Sequence, residues 1–207
     1  MRLYEFSESL LDTPSHHIVI GLSGVPGAGK TTIIQQLITD CLDEAGYVRS
    51  LTTRPRRSDD RGDEYEYITE VEFSLLEEQG AVTWKVGAHG KFYGNTYEQF
   101  FEAMRYFRFS LIAITPETIL KICGIIPRPR LRLFHLVAPN QDEQTRRLAE
   151  RGECQTAIEH RVITSRTWER QVESLADPQT CPIIFISQGT VRDMYMEFIS
   201  SLDLPTR

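Results

Sequence analysis

The stretch "GVPGAGKT", Gly24 to Thr31, restricts the fold of this chain more than any other eight residues. It fits G-x-x-x-x-G-K-[ST], and its flanks are those the pattern needs: the apolar run "HIVIGLS" (17–23) before it and a helical pattern after it. Ile33, Ile34, Leu37, Ile38 and Leu42 recur at the spacing of one helix face. A strand that turns through glycines into a helix aims backbone N–H groups and the positive end of the helix dipole at one place. That place suits phosphate. Gly24, Val25, Pro26, Gly27, Ala28, Gly29, Lys30, Thr31 and Thr32 are therefore the expected wall of a site for ATP. Lys30 would reach the β- and γ-phosphates and Thr31 would hold Mg²⁺. The loop backbone itself is expected not to depend on the Lys30 side chain.

The rest of the chain alternates strand and helix patterns. "FSLIAI" (109–114), "LRLFHLV" (131–137) and "PIIFI" (182–186) are short apolar runs that read as further buried strands. Thr115-Pro116 is the expected N-cap and first position of the helix after the first of them, and Asn140 with Glu143 resembles a capping box. The alternation predicts an α/β fold with a parallel sheet covered on both faces. Residues 47–96 break the rhythm, with short β-like pieces around 48–53, 64–68 and 81–86 and a helix opening at Thr69 with Glu72 at its third position. They are expected to form a small inserted β-rich subdomain. Residues 1–16 precede the first core strand as an N-terminal extension, and 17–207 are expected to be one domain.

Within the insert, "RSLTTRPRRSDDRGDEYEY" (49–67) gathers five arginines, Arg49, Arg54, Arg56, Arg57 and Arg61, in a chain of net charge −6. Such a run is either a solvated face or a second anion site, because the guanidinium fork matches phosphate oxygens two at a time. Net acidity argues against nucleic-acid or anionic-membrane partners, which need a basic face. Cys41, Cys123, Cys154 and Cys181 are far apart, lack zinc spacing, and read as reduced, mostly buried thiols. The N-terminus has acidic residues where a signal peptide needs an apolar stretch, and no run reaches membrane-spanning length. A cytoplasmic monomer or homodimer is expected.

Taken together, these residues resemble the guanylate kinase family of nucleoside monophosphate kinases. The family's phosphate-acceptor signature runs S-x-T-T-R-x-x-R, a glycine, D-Y-x-F and later Y-G-[TS]; this chain has "SLTTRPRR" (50–57), Gly62, "EYEY" (64–67) and "YGN" (93–95). The resemblance implies that Ser50, Arg54, Arg57, Tyr65 and Tyr93 grip the phosphate of an acceptor, with GMP the default. The family's lid, R-L-x-x-R-G then I-x-x-R, matches "RLAERG" (147–152) and "IEHR" (158–161). Arg147, Arg151 and Arg161 would then close over the triphosphate and offset transition-state charge, as Lys30 does. The implied fold is that of the P-loop NTPases: a five-stranded parallel sheet flanked by helices, the 47–96 insert binding the acceptor and a helical lid at 150–170.

The base-reading positions depart from the family. Thr83 stands where the family has a glutamate, and Ala113 to Thr115 ("AIT") where it has D-[IV]-[DE], so that Ala113 replaces an acid that supports Mg²⁺. Asn95 replaces the Y-G-[TS] hydroxyl, and Ser187-Gln188 replace N-D after the last strand. Thr83, Asn95, Thr115 and Glu117 are the candidates for new contacts to the acceptor. Charge-assisted hydrogen bonds contribute about 1.5–3 kcal/mol each, so losing two carboxylates lowers guanine discrimination by roughly 10²–10⁴. Three readings follow: a kinase for GMP with a remodelled base pocket, a related kinase for a non-guanine acceptor such as a ribose phosphate, and a non-catalytic binding module. Intact Lys30 and Thr31 favour the first two.

Overall fold

The computed structural model describes residues 10–56, 60, 64–88 and 90–202, together with Glu5 and Glu8. Among the described residues, nine strands form two sheets. The larger has the order β2-β7-β1-β8-β9, built from β1 (Ile18–Gly24), β2 (Ala45–Tyr47), β7 (Phe109–Ala113), β8 (Leu131–Leu136) and β9 (Ile183–Ile186). β2 runs parallel to β7 with Ala45 opposite Phe109, and β8 runs parallel to β9 with Leu133 opposite Ile183. β1 is buried from Val19 onward and β7 from Phe109 to Ile112, the two-sided burial that continuous apolar runs require. The five-stranded parallel sheet anticipated from the alternation is therefore present.

The chain divides into two compact units, one of Met1–Ile20, Cys41–Ile112 and Leu120–Leu131, the other of Gly21–Asp40, Ala113–Ile119 and Arg132–Arg207. In the second unit, α1 (Lys30–Asp40) follows β1 and buries Ile33, Ile34 and Leu37. The helix α5 (Gln141–Glu150) packs on α6 (Gln155–Leu175) through Leu148, Ile158 and Val162. α7 (Val191–Ser201) opens on a full capping box of Thr190 and Asp193 and buries Met194 and Phe198. Its Phe198 ring meets Phe134 of β8 edge-on at 4.7 Å.

The first unit contains the smaller sheet, order β4-β3-β6-β5, from β3 (Ser50–Thr52), β4 (Tyr65–Tyr67), β5 (Val82–Ala88) and β6 (Lys91–Thr96). β3 pairs parallel with β4, whereas β6 is antiparallel to both β3 and β5. Two helices accompany it. α2 (Glu70–Glu78) has the expected capping box of Thr69 and Glu72, and α3 (Tyr97–Tyr106) has one of Thr96 and Gln99. Trp84 packs against Phe100 at 5.4 Å, and Phe73 is wholly buried.

Local details differ from the sequence reading. The expected piece around 48–53 is the strand Ser50–Thr52 of the small sheet, and a strand just before it that was not expected, Ala45–Tyr47, joins the large one. β6 was not anticipated, because "KFYGNT" places Gly94 and Asn95 where strands rarely have them. Pro116 does open α4 (Pro116–Ile125), but Thr115 does not cap it with its side chain. The Thr118 hydroxyl instead bridges the Thr115 N–H and C=O, and the Thr115 hydroxyl is buried without a hydrogen-bond partner. Asn140 accepts from the Glu143 N–H as expected, while the Glu143 carboxylate accepts from Arg146 and Arg147. None of the four cysteines is in a disulfide, yet only Cys181 is buried; Cys154 is exposed at the start of α6.

Candidate active site

The turn from β1 into α1 has the backbone its glycines permit. Gly27 has φ 85°, and Gly24 has φ 149° with the Leu136 carbonyl oxygen 2.9 Å from where a Cβ would stand. The loop's carbonyls are held one after another by side chains. Lys30 Nζ donates to the Gly24 oxygen at 2.7 Å and to the Val25 oxygen at 3.2 Å. Gln144 Nε2 donates to the Pro26 oxygen at 2.8 Å, and Arg147 Nη1 donates to the Gly27 oxygen at 2.9 Å. This corrects the expectation that the loop backbone is independent of Lys30: the ammonium bridges its first two carbonyls.

The expected lid arginines have three different environments. Arg147 shares its Nε with Glu143 at 2.7 Å while touching the loop, so it is fixed beside the P-loop. Arg161 lies 2.7 Å from the Glu153 carboxylate, out of line for a hydrogen bond, with both side chains largely buried. Arg151 is exposed. A cavity of about 520 Å³ opens here, lined by Gly27, Thr32, Arg147, Arg151, Thr190 and Met194 among others. Glu143, hydrogen-bonded first by Arg146 and then by Arg147, has its carboxyl lowered to about 2. Gln188 donates to the Val137 carbonyl and presents Oε1 to Arg147 at 3.4 Å. Thr31, the second residue of α1, is half-buried, and Ala113 closes β7. Thr115 belongs to this unit as well.

The acceptor candidates of the other unit gather on the small sheet. Arg54, 8% exposed, gives both arms of its guanidinium to Asp60, Nη1 to Oδ2 and Nη2 to Oδ1, each at 2.6 Å. Tyr67 donates to the same carboxylate at 2.6 Å. The guanidinium stands 4.9 Å from the Tyr65 ring centroid and 5.7 Å from that of Tyr67, within cation–π range. Tyr65 and Tyr93 meet edge-on at 6.3 Å. The hydrogen bond from Arg54 to Asp60 pushes the guanidinium pKa further up, and burial pushes the Tyr65 phenol up, so one is a fixed cation and the other a neutral donor. Arg57 lies outside the described residues.

Ser50, Thr83 and Asn95 are joined to one another. Ser50 Oγ donates to Asn95 Oδ1 at 3.3 Å, Asn95 Nδ2 donates to the Arg49 carbonyl at 2.7 Å, and Thr83 Oγ1 donates to the Asn95 carbonyl at 2.8 Å. Asn95, 1% exposed, spends both ends of its amide inside the sheet. Sequence reasoning missed Asp60 and Gln144, and it noted Glu143 only as a capping residue and Gln188 only as a departure from the family pattern. Asp60 carried one signal, an acid six residues beyond Arg54; Gln144 carried another, an amide one helical turn before the buried Leu148.

A strand, a glycine loop and a helix with lysine and arginine on one set of loop atoms define a nucleotide-binding protein of the P-loop class. The guanylate kinase model matches residues 16–174, and the chain belongs to the guanylate kinase family. The guanylate kinase of Chlamydia abortus is 31% identical over 149 residues, which span 69% of this chain and 71% of that protein. That of Oleidesulfovibrio alaskensis is 28% identical over 154 residues, 74% of each chain. The crystal structure of guanylate kinase from Anaplasma phagocytophilum superposes with a TM-score of 0.65 at 17% identity, covering 92% of this chain and 86% of that one, a likeness of fold. Family membership makes the chain a nucleotide-binding kinase of the guanylate kinase type.

Proposed function

We propose that the protein moves the γ-phosphoryl of ATP to a phosphomonoester acceptor, GMP by default, with the guanine read more weakly than a carboxylate would read it. The observation that supports this most is Arg54 among Tyr65, Tyr67 and Tyr93: a fixed guanidinium beside phenol hydroxyls suits a phosphate dianion. Phosphoryl transfer needs positioning and charge neutralisation at donor and acceptor. Gly24 to Thr32 would hold the donor, with Lys30 and Arg147 beside its phosphates and Arg151 and Arg161 supplying charge from the lid. Ser50, Arg54, Arg57, Tyr65 and Tyr93 would hold the acceptor phosphate, and Thr83, Asn95 and Thr115 would flank its base.

The donor set suits a magnesium ion that arrives with its triphosphate, since magnesium prefers phosphate oxygens and water to an all-protein cage. Thr31 is the hydroxyl this chain would add, and the ion would supply charge neutralisation at the phosphates. A non-guanine acceptor is the second reading, favoured by Thr83 and Asn95, whose hydrogen-bonding groups are used within the sheet. ADP release with Mg-ATP and a panel of GMP, AMP, IMP and ribose phosphate tests both. Release with GMP supports the first reading. Release with ribose phosphate alone supports the second, and release with none overturns both.

A further inference from the structure

A glutamine is buried where the helix pattern asks for an apolar residue. Gln144 on α5 is 2% exposed, one turn before the fully buried Leu148. Burying an amide is unfavourable unless its groups are paired, and both of this amide's donors are used. Nε2 donates to the Pro26 carbonyl of the loop at 2.8 Å and to Ser165 Oγ at 2.7 Å. Ser165, 4% exposed, passes its own proton to the Arg161 carbonyl at 2.7 Å. The chain of bonds fixes the orientation of the amide. Pro26 offers only an acceptor and the Ser165 proton is committed, so only the NH₂ end can face both.

The peptide between Pro26 and Gly27 is planar and trans, so holding the Pro26 C=O directs the Gly27 N–H the opposite way. Gln144 therefore controls the aim of one N–H of the phosphate-binding loop, and Ser165 ties that control to the backbone of an expected lid residue.

We infer that Gln144 is a positioning residue for the donor phosphates, setting the Pro26–Gly27 peptide and, through Ser165, the register of α6 with the loop. The inference rests on the loop being the donor site, as proposed above. Mg-ADP affinity by calorimetry tests it without requiring turnover, in wild type, Gln144→Leu, Gln144→Glu and Ser165→Ala. Leucine fills the volume without a donor and should weaken Mg-ADP about tenfold, with acceptor KM unchanged. Ser165→Ala removes only the second link and should weaken it about threefold. Glutamate regains one donor only when protonated, and burial raises its pKa. Its affinity should therefore improve relative to the leucine variant between pH 8 and pH 6.

Leucine and alanine variants that bind Mg-ADP within twofold of wild type overturn the inference, whatever happens to their melting temperatures. A glutamate variant that tracks the leucine variant across pH also overturns it. If the leucine variant does not fold, the alanine variant decides by the same twofold limit. Wild type that binds no Mg-ADP overturns the donor-site reading and this inference together. Wild type that binds Mg-ADP but transfers nothing overturns the kinase reading alone.

Discussion

Lys30 and Arg54 are the cations at the heart of the two proposed anion sites, and each has acceptors within the protein. Lys30 bridges the Gly24 and Val25 carbonyls, so in the proposed donor site phosphate oxygens would replace backbone dipoles as its partners. Lys30→Ala should lower kcat by at least about 10²-fold, the loss typical of a removed transition-state donor. It should also reduce stability by about 1 kcal/mol because two loop carbonyls lose a donor. Coupled ADP release and thermal unfolding measure both, and near-wild-type turnover would refute the assignment. Arg54 gives Asp60 the same fork that an acceptor phosphate needs. Asp60→Asn should therefore lower acceptor KM by about three- to tenfold while costing about 1–3 kcal/mol of stability, since it breaks a buried pair. A higher KM in that variant would mean that Asp60 orients Arg54 for the acceptor and does not compete with it.

At the scale of elements, α5 connects the loop to the arginine helix pair, and its charge pattern makes a pH signature. Hydrogen bonds from Arg146 and Arg147 lower the Glu143 carboxyl to about 2 from the ordinary 4.5. A lowered folded-state pKa contributes stability that is fully present above the unfolded value and lost as pH falls through the folded one. The difference in melting temperature between wild type and Glu143→Gln should therefore be constant above about pH 5 and shrink between pH 4.5 and 2. A difference that shrinks between pH 7 and 5 contradicts this. The elements legible in sequence were those with a local code: the P-loop, the Thr69–Glu72 box, and the apolar strands. β6 and the split of 45–52 between two sheets were not legible, because only tertiary pairing makes a strand of "KFYGNT". Helix periodicity places position 144 inside, one turn before Leu148, but gives no account of a glutamine there.

For the whole molecule, the alternation of strands and helices was enough for the α/β sheet, and the arginine–tyrosine signature was enough for the family. The acceptor's identity lay beyond both, since it depends on which polar groups remain available once the sheet has formed. Asn95, a candidate base reader in sequence, is a buried tie between strands, and the Thr83 hydroxyl proton goes to its carbonyl. Among the described residues no helix is long and apolar enough to cross a membrane. The central claim is ATP-dependent transfer to a phosphomonoester with weakened reading of guanine. The most direct test is kcat/KM for GMP against AMP and ribose phosphate with Mg-ATP in the wild-type protein. The account predicts measurable transfer to GMP with an advantage well below about 10⁴, the discrimination expected of a site built around a base's hydrogen bonds. No ADP release with any acceptor, or an advantage for GMP above about 10⁴, would contradict it.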